Sequence, residues 1–76
     1  MWVLEIENAK SDVRTYDFEH YHQLDRFFQK YLAHRDLEER ETDQMFSLQE
    51  DNTKEQGELY YFDDGAFHGN YVIREN

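Results

Sequence analysis

The chain contains no cysteine and no proline, and only three of its 76 residues are glycine. Without cysteine, neither a disulfide nor a thiolate metal site can stabilise so small a domain. Without proline, there is no polyproline segment of the kind that recognition domains bind. No stretch approaches the roughly 18 apolar residues expected of a membrane-spanning helix. Stability must therefore come from a packed core.

The side chains available for that core are largely aromatic. One Trp, six Tyr and six Phe accompany a modest number of aliphatic residues, and each aromatic side chain buries on the order of 150–250 Å². A chain of this length forms at most one domain, so we expect residues 1–76 to be a single small acidic domain. Its first eight residues contain two acids and no base, unlike the basic start of a secretion signal. We therefore expect a cytoplasmic protein.

Basic residues are scarce in the second half of the chain. Residues 1–35 carry six acids and five bases, whereas residues 36–76 carry twelve acids and only Arg40, Lys54 and Arg74. The formal net charge is −10. Such a field repels nucleic acids and anionic membranes and attracts basic protein surfaces. The composition therefore argues against direct binding to nucleic acid or to a membrane.

Two periodicities predict the first half of the fold. In residues 2–7 a period of two places Trp2, Leu4 and Ile6 on one face, opposite Val3 and two glutamates, and residues 13–18 are rich in β-branched and aromatic types. Together with a polar turn at 8–12 they predict a β-hairpin. Residues 20–35 predict an amphipathic helix, because their apolar residues recur at helical spacing. That apolar stripe consists of Tyr21, Leu24, Phe27, Phe28, Tyr31 and Leu32.

The second half is predicted to be three strands. Residues 36–44 fit either an extension of the helix or a solvated loop. The strands are then expected at 45–51, 58–64 and 66–75, with a turn at 52–57, a reversal at Gly65 and a bulge or turn at Gly69. The order ββαβββ predicts an α+β fold, in which one helix packs on one face of a mostly antiparallel sheet.

Two groups of residues, one of histidines and one of aspartates with a histidine, are candidate chemical sites. His20 and His22 are two residues apart and would face different ways on a helix, which disfavours a metal site. Asp63, Asp64 and His68 lie around one expected hairpin, and a carboxylate can orient a histidine for general-base work. No serine stands in a nucleophile motif. We therefore expect no enzyme, cofactor or metal, with a small metal- or ligand-binding module or enzyme subunit as the alternative.

Consecutive aromatic residues at 60–62 predict a ring on each face of a strand. One face must meet the helix, and the other exposes at least one ring. Exposed aromatic rings beside carboxylates are common in protein-binding surfaces. A central strand that needs bulk on both sides explains the run equally well.

The acids at 36–43 form a regular array in either backbone conformation. In a helix, Asp36, Glu39 and Asp43 would share one face with neighbours roughly 5–6 Å apart, and in a strand alternate carboxylates would be roughly 6.5–7 Å apart. Both spacings resemble that of successive phosphates along a nucleic-acid strand. Such an array can occupy a groove built for DNA, and counterion release would drive its binding. The simpler explanation is a solvated face that keeps the protein soluble.

The sequence therefore favours a small acidic protein-binding protein over an enzyme. We expect an inhibitor that covers the basic, nucleic-acid-binding surface of a larger protein, such as a nucleic-acid-processing or defence complex. In size and charge alone the chain resembles small DNA-mimicking and phage-encoded anti-defence inhibitors, a resemblance that transfers no site. A homodimer joined through an exposed strand edge is a further alternative. The candidate partner-binding residues are Asp36, Glu38, Glu39, Glu41, Asp43, Glu58, Tyr60, Tyr61, Asp63 and Asp64.

Overall fold

The computed structural model describes residues 1–42 and 52–76. Within them one sheet has the strand order β2-β1-β5-β4-β3, with all neighbouring strands antiparallel. The expected α+β architecture and the order ββαβββ are confirmed. The elements are β1 (Trp2–Asn8), β2 (Val13–Phe18), α1 (Tyr21–Arg35), β3 (Leu37–Glu41), β4 (Thr53–Tyr61) and β5 (Phe67–Glu75).

Helix α1 connects the two outer strands of the described sheet, β2 and β3, and therefore crosses one face of it. At its start the backbone N–H of His20, the N-cap residue, donates to Gln23 Oε1 at 3.1 Å, which is the bond that the N3 side chain makes in a capping box. At its end Asp36 adopts a left-handed conformation (φ 51°). No helix in the described part of the chain has the length and apolar character needed to cross a membrane.

The core lies between α1 and the sheet. Most of the predicted stripe is confirmed, because Leu24, Phe28 and Leu32 are buried on the helix, whereas Tyr21 at its start is 43% exposed. Phe27 is only partly buried and contacts Tyr16 with ring centroids 4.5 Å apart. Aromatic packing of this kind compensates for the small number of aliphatic residues. The buried cluster comprises Leu4, Ile6, Leu24, Phe28, Leu32, Leu37, Leu59, Tyr71 and Ile73.

The strand β3 differs from the sequence prediction. Residues 37–41 are neither a helical extension nor a loop, because they pair with β4 from Leu37 opposite Tyr61 to Glu41 opposite Gly57. Glutamate is a poor strand former, but ladder hydrogen bonds and the burial of Leu37, which is 3% exposed, outweigh local preference. The strand predicted at 45–51 lies outside the described residues.

The bounds of β4 also differ from the prediction. The expected turn at 52–57 is wrong, since Thr53–Tyr61 forms a single strand. This strand ends before the expected limit at Asp64, and the reversal that follows contains Gly65 with φ 71°. The irregularity expected near Gly69 is confirmed, because Leu59 pairs with Gly69 while Tyr60 pairs with Phe67. The bulge leaves one extra residue, His68, between these two pairs.

Candidate acidic binding surface

The strand register gathers the acids of the second half of the chain at one side of the sheet. In the described sheet β3 is the outermost strand and β4 is its neighbour. We call the residues of β3, β4 and their adjoining turns the acidic edge, where eight acids accompany only Arg40 and Lys54 within residues 36–42 and 52–64. These acids are Asp36, Glu38, Glu39, Glu41, Glu55, Glu58, Asp63 and Asp64.

One part of the acidic edge lies on the sheet face opposite the helix. Glu38 stands across from Tyr60, and Arg40 stands across from Glu58. The Tyr60 hydroxyl donates to Glu58 Oε2 at 2.9 Å, and this hydrogen bond is the main reason why the pKa of Tyr60 is raised. The Arg40 guanidinium contacts Glu38 at 3.4 Å and lies 4.2 Å from the centre of the Tyr60 ring. Arg40, the base on this face, therefore already contacts Glu38 and the Tyr60 ring.

A second part of the acidic edge faces the helix. The Tyr71 hydroxyl donates to Glu55 Oε2 at 2.9 Å. Burial raises the pKa of Glu39, and the nearby charges of Glu55 and Asp25 raise it further. Glu39 and Glu55 are thus partly desolvated and belong as much to the packing of the domain as to its surface.

The third part, which we call the turn patch, consists of Asp36, Phe62, Asp63 and Asp64. The Phe62 backbone N–H donates to the Asp36 carbonyl oxygen at 2.9 Å, which joins the end of the helix to the β4–β5 turn. Asp64 Oδ1 accepts the Ala66 backbone N–H at 2.8 Å. Phe62 itself is 66% exposed. The sequence predicted an exposed ring within the aromatic run at 60–62, but only Tyr60 and Tyr61 of that run are among the candidate residues.

The candidate residues share an edge but not a face. Glu38, Glu58 and Tyr60 lie on the uncovered face, whereas strand alternation places Glu39, Glu41 and Tyr61 on the helix side. Asp36, Asp63 and Asp64 lie at the turn end, and Asp43 lies outside the described residues. The helical arrangement of Asp36, Glu39 and Asp43 is wrong, because residues 37–41 are extended. The other predicted arrangement, alternate carboxylates on an extended strand, applies to residues 37–41.

The histidine sites considered from the sequence have a different geometry. The rings of His20 and His22 stack with centroids 5.6 Å apart at the start of α1. The described residues contain no cluster of three or more His, Asp or Glu side chains placed to hold a metal ion. His68 is hydrogen-bonded to two tyrosines, Tyr31 and Tyr61. Within the described chain it forms no hydrogen bond with Asp63 or Asp64, so the alternative of a carboxylate–histidine pair is not formed there.

Comparison with protein families, curated proteins and solved structures gives no match. The fold and the surface define a small acidic α+β domain with one sheet, one covering helix and a strongly charged edge. Function must therefore be argued from the chemistry of that surface alone.

Proposed function

We propose that this protein is an inhibitor that binds the basic, nucleic-acid-binding surface of a larger protein or complex in place of the nucleic acid. The observation that supports this proposal is the placement of eight acids against two bases along the acidic edge. A surface of one sign attracts a partner of the opposite sign and raises the association rate.

The extended backbone of β3 supplies a regular charge spacing. Carboxylates two residues apart on a strand are separated by roughly 6.5–7 Å, as between the partly buried Glu39 and the exposed Glu41. A basic groove that binds nucleic acid is adapted to a repeating array of negative charges. Carboxylates held on a strand can therefore replace phosphates there, and ions released from the basic partner favour the complex.

The turn patch adds an apolar anchor to this charge. Phe62 is largely exposed and is followed directly by Asp63 and Asp64. Exposed aromatic side chains commonly supply much of the binding energy of an interface, while charged residues at the rim steer the encounter. An aromatic anchor within an acidic surface favours a protein partner of defined shape over unspecific attraction to any cation.

The partner class follows from this chemistry. We propose a nucleic-acid-processing or defence complex of the kind that phage-encoded anti-defence proteins block, met in the cytoplasm. The protein itself acts without catalysis, cofactor or metal, and without binding nucleic acid or membrane directly. Binding alone produces the effect, because the occupied surface is closed to DNA or RNA.

Capture from a cell lysate on the immobilised protein tests the proposal, with washes at about 50 mM and about 500 mM salt, where screening lengths differ several-fold. Captured proteins are then challenged with double-stranded DNA. We expect DNA and high salt to release the partner. The variant Glu41→Gln, Asp63→Asn, Asp64→Asn should associate more slowly, whereas the matched control Glu7→Gln, Asp17→Asn, Glu19→Gln, with the same change in net charge, should associate normally.

Two results would contradict the proposal. The first is a complex that is equally tight at both salt concentrations and indifferent to DNA. The second is equal weakening by both sets of substitutions, which would make net charge rather than the acidic edge responsible. Native mass measurement of the free protein separates a monomeric inhibitor from a homodimer paired through an outer strand.

A further inference from the structure

A cavity of about 300 Å³ lies between the last turns of α1 and the β1–β2 hairpin. A second cavity of about 310 Å³ adjoins it, and the two share Asn8, Asp12 and His68 in their walls. The first adds Arg14, Tyr31 and Arg35, and the second adds Lys10, Tyr61 and Phe67. Neither was indicated by the sequence, because these side chains come from both ends of the chain.

The walls of these cavities carry the opposite charge to the rest of the protein. Arg14, Arg35 and Lys10 line them together with one acid, Asp12, a formal net charge of +2 in a molecule whose total is −10. Bases gathered in a concave site, against the overall charge of the protein, favour a local anionic ligand.

The two arginines are suited to hold an anion. Within the described residues Arg14 forms no ion pair and no side-chain hydrogen bond, so its donors have no described protein partner. The Arg35 guanidinium lies 3.9 Å from the centre of the Tyr31 ring. Stacking of this kind fixes the plane of a guanidinium while its N–H groups stay able to bind oxygen atoms.

His68 forms a fixed wall between the two cavities. Its Nε2 is 3.2 Å from the Tyr31 hydroxyl and its Nδ1 is 3.1 Å from the Tyr61 hydroxyl. Burial and the charge of Arg35 lower the pKa of His68, which favours the neutral ring. On the hairpin side, Asn8 Oδ1 accepts the backbone N–H groups of Lys10 and Asp12. The site is thus largely organised before any ligand arrives.

We propose that the adjoining cavities bind a phosphate monoester whose molecule also contains an aromatic ring, as a nucleoside monophosphate does. A phosphate monoester carries a charge of about −1.5 to −2 at pH 7, which matches the net charge of the walls, whereas a carboxylate carries only one charge. Arg14 and Arg35 bind the phosphate oxygens. The base lies against Tyr61 and Phe67, which are 39% and 42% exposed.

Titration of the isotope-labelled full chain with adenosine monophosphate, inorganic phosphate and adenosine, followed by NMR, tests this site. We expect the monophosphate to shift the side-chain signals of Arg14, Arg35 and His68. Inorganic phosphate should shift the arginine signals at higher concentration, and adenosine should bind more weakly than the monophosphate. The pKa of His68 should rise in the complex, because a nearby dianion favours the imidazolium.

The variant Arg14→Gln should lose at least about tenfold in affinity, as expected for removal of a charge-assisted hydrogen bond. The matched control Arg26→Gln removes the same charge from an exposed position of α1 and should bind as the natural protein does. If Arg14→Gln does not fold, Arg14→Lys keeps the charge and loses the planar donor pair, and should still weaken binding.

Three outcomes would overturn the proposal: no shift with millimolar monophosphate, equal weakening by Arg26→Gln, or adenosine binding as tightly as its monophosphate. Equal affinity for inorganic phosphate and the monophosphate would contradict the proposed contact between the aromatic base and the protein. The variant Glu41→Gln, Asp63→Asn, Asp64→Asn should keep its affinity for the monophosphate. The proposal for this site and the proposal for the acidic edge are therefore tested independently.

Discussion

Gly57 of β4 lies directly across from Tyr71 of β5, and the Tyr71 ring occupies the space where a side chain on residue 57 would begin. A Cβ added to Gly57 would lie 2.6 Å from Tyr71 Cε1 and would also meet the backbone carbonyl of Arg40 on β3. The glycine therefore allows the aromatic ring to fill the core beneath α1 while its hydroxyl reaches Glu55.

The substitution Gly57→Ala should destabilise the protein, because neither the Arg40 backbone nor the buried Tyr71 ring can move away freely. We expect a loss of roughly 1–3 kcal/mol, as for overpacked cores, measured by denaturant unfolding. Gly65 provides the control, since nothing lies within 4 Å of its added Cβ. Because Asn tolerates a positive φ, Gly65→Asn should cost less than Gly57→Ala, and the reverse order would contradict this packing.

Phe28 and Phe27 are adjacent on α1 but differ in burial. Phe28 is 2% exposed and packs against Tyr71 with ring centroids 4.9 Å apart, whereas Phe27 is only partly buried. Phe28→Ala should cost on the order of 3–5 kcal/mol, which approaches the whole stability of so small a domain. Phe27→Ala should cost less. Equal melting temperatures for the natural protein and Phe28→Ala would refute the position of the helix.

The stability of the protein should depend on pH through Glu39. Its pKa in the folded state is raised above the ordinary value of 4.5 by burial and by neighbouring acids. The folded state therefore binds its proton first as pH falls, and stability contributed by Glu39 increases until pH reaches the unfolded pKa. Glu39→Gln should stabilise the protein at pH 7.5, and this advantage should shrink towards pH 4.5.

His68 should act in the opposite sense over a different pH range. Its pKa is lowered from 6.5 in the folded state, so the unfolded state binds the proton first and stability falls as pH decreases through 6.5. Denaturant unfolding of Glu39→Gln and of His68→Gln at several pH values separates the two effects. An advantage of Glu39→Gln that stays constant from pH 7.5 to 4.5 would show that Glu39 is not desolvated.

Phe62 should matter for partner binding and not for folding. Its side chain is 66% exposed, so Phe62→Ala should change the free energy of unfolding by no more than about 0.5 kcal/mol. An aromatic anchor at an interface commonly contributes more than about 1 kcal/mol, so dissociation from the captured partner should accelerate at least about fivefold. Unchanged dissociation would remove Phe62 from the binding surface and leave the charged residues to be tested separately.

The local patterns of the sequence determined the hairpin, the helix and the last strand. Alternation at Leu4 and Ile6 and helical spacing at Leu24, Phe28 and Leu32 each require only one buried face, and the structure buries those faces. Such patterns are readable because the residues that define each face are close together along the chain. The end of the helix was harder to predict, since Asp36 ends it in a left-handed backbone conformation that several residue types can adopt.

Tertiary structure alone decided the acid-rich strand and both candidate sites. Residues 37–41 have little intrinsic preference for a strand and become one through pairing with β4, a partner more than ten residues away. That pairing divides the acid run between two faces. The cavity walls likewise join Asn8 and Arg14 to Arg35 and His68, which meet only because β1 lies beside β5 and the helix crosses above them. Non-local hydrogen bonds and packing produce such groupings, and the periodicity of the sequence does not indicate them because it reports only on residues that are close along the chain.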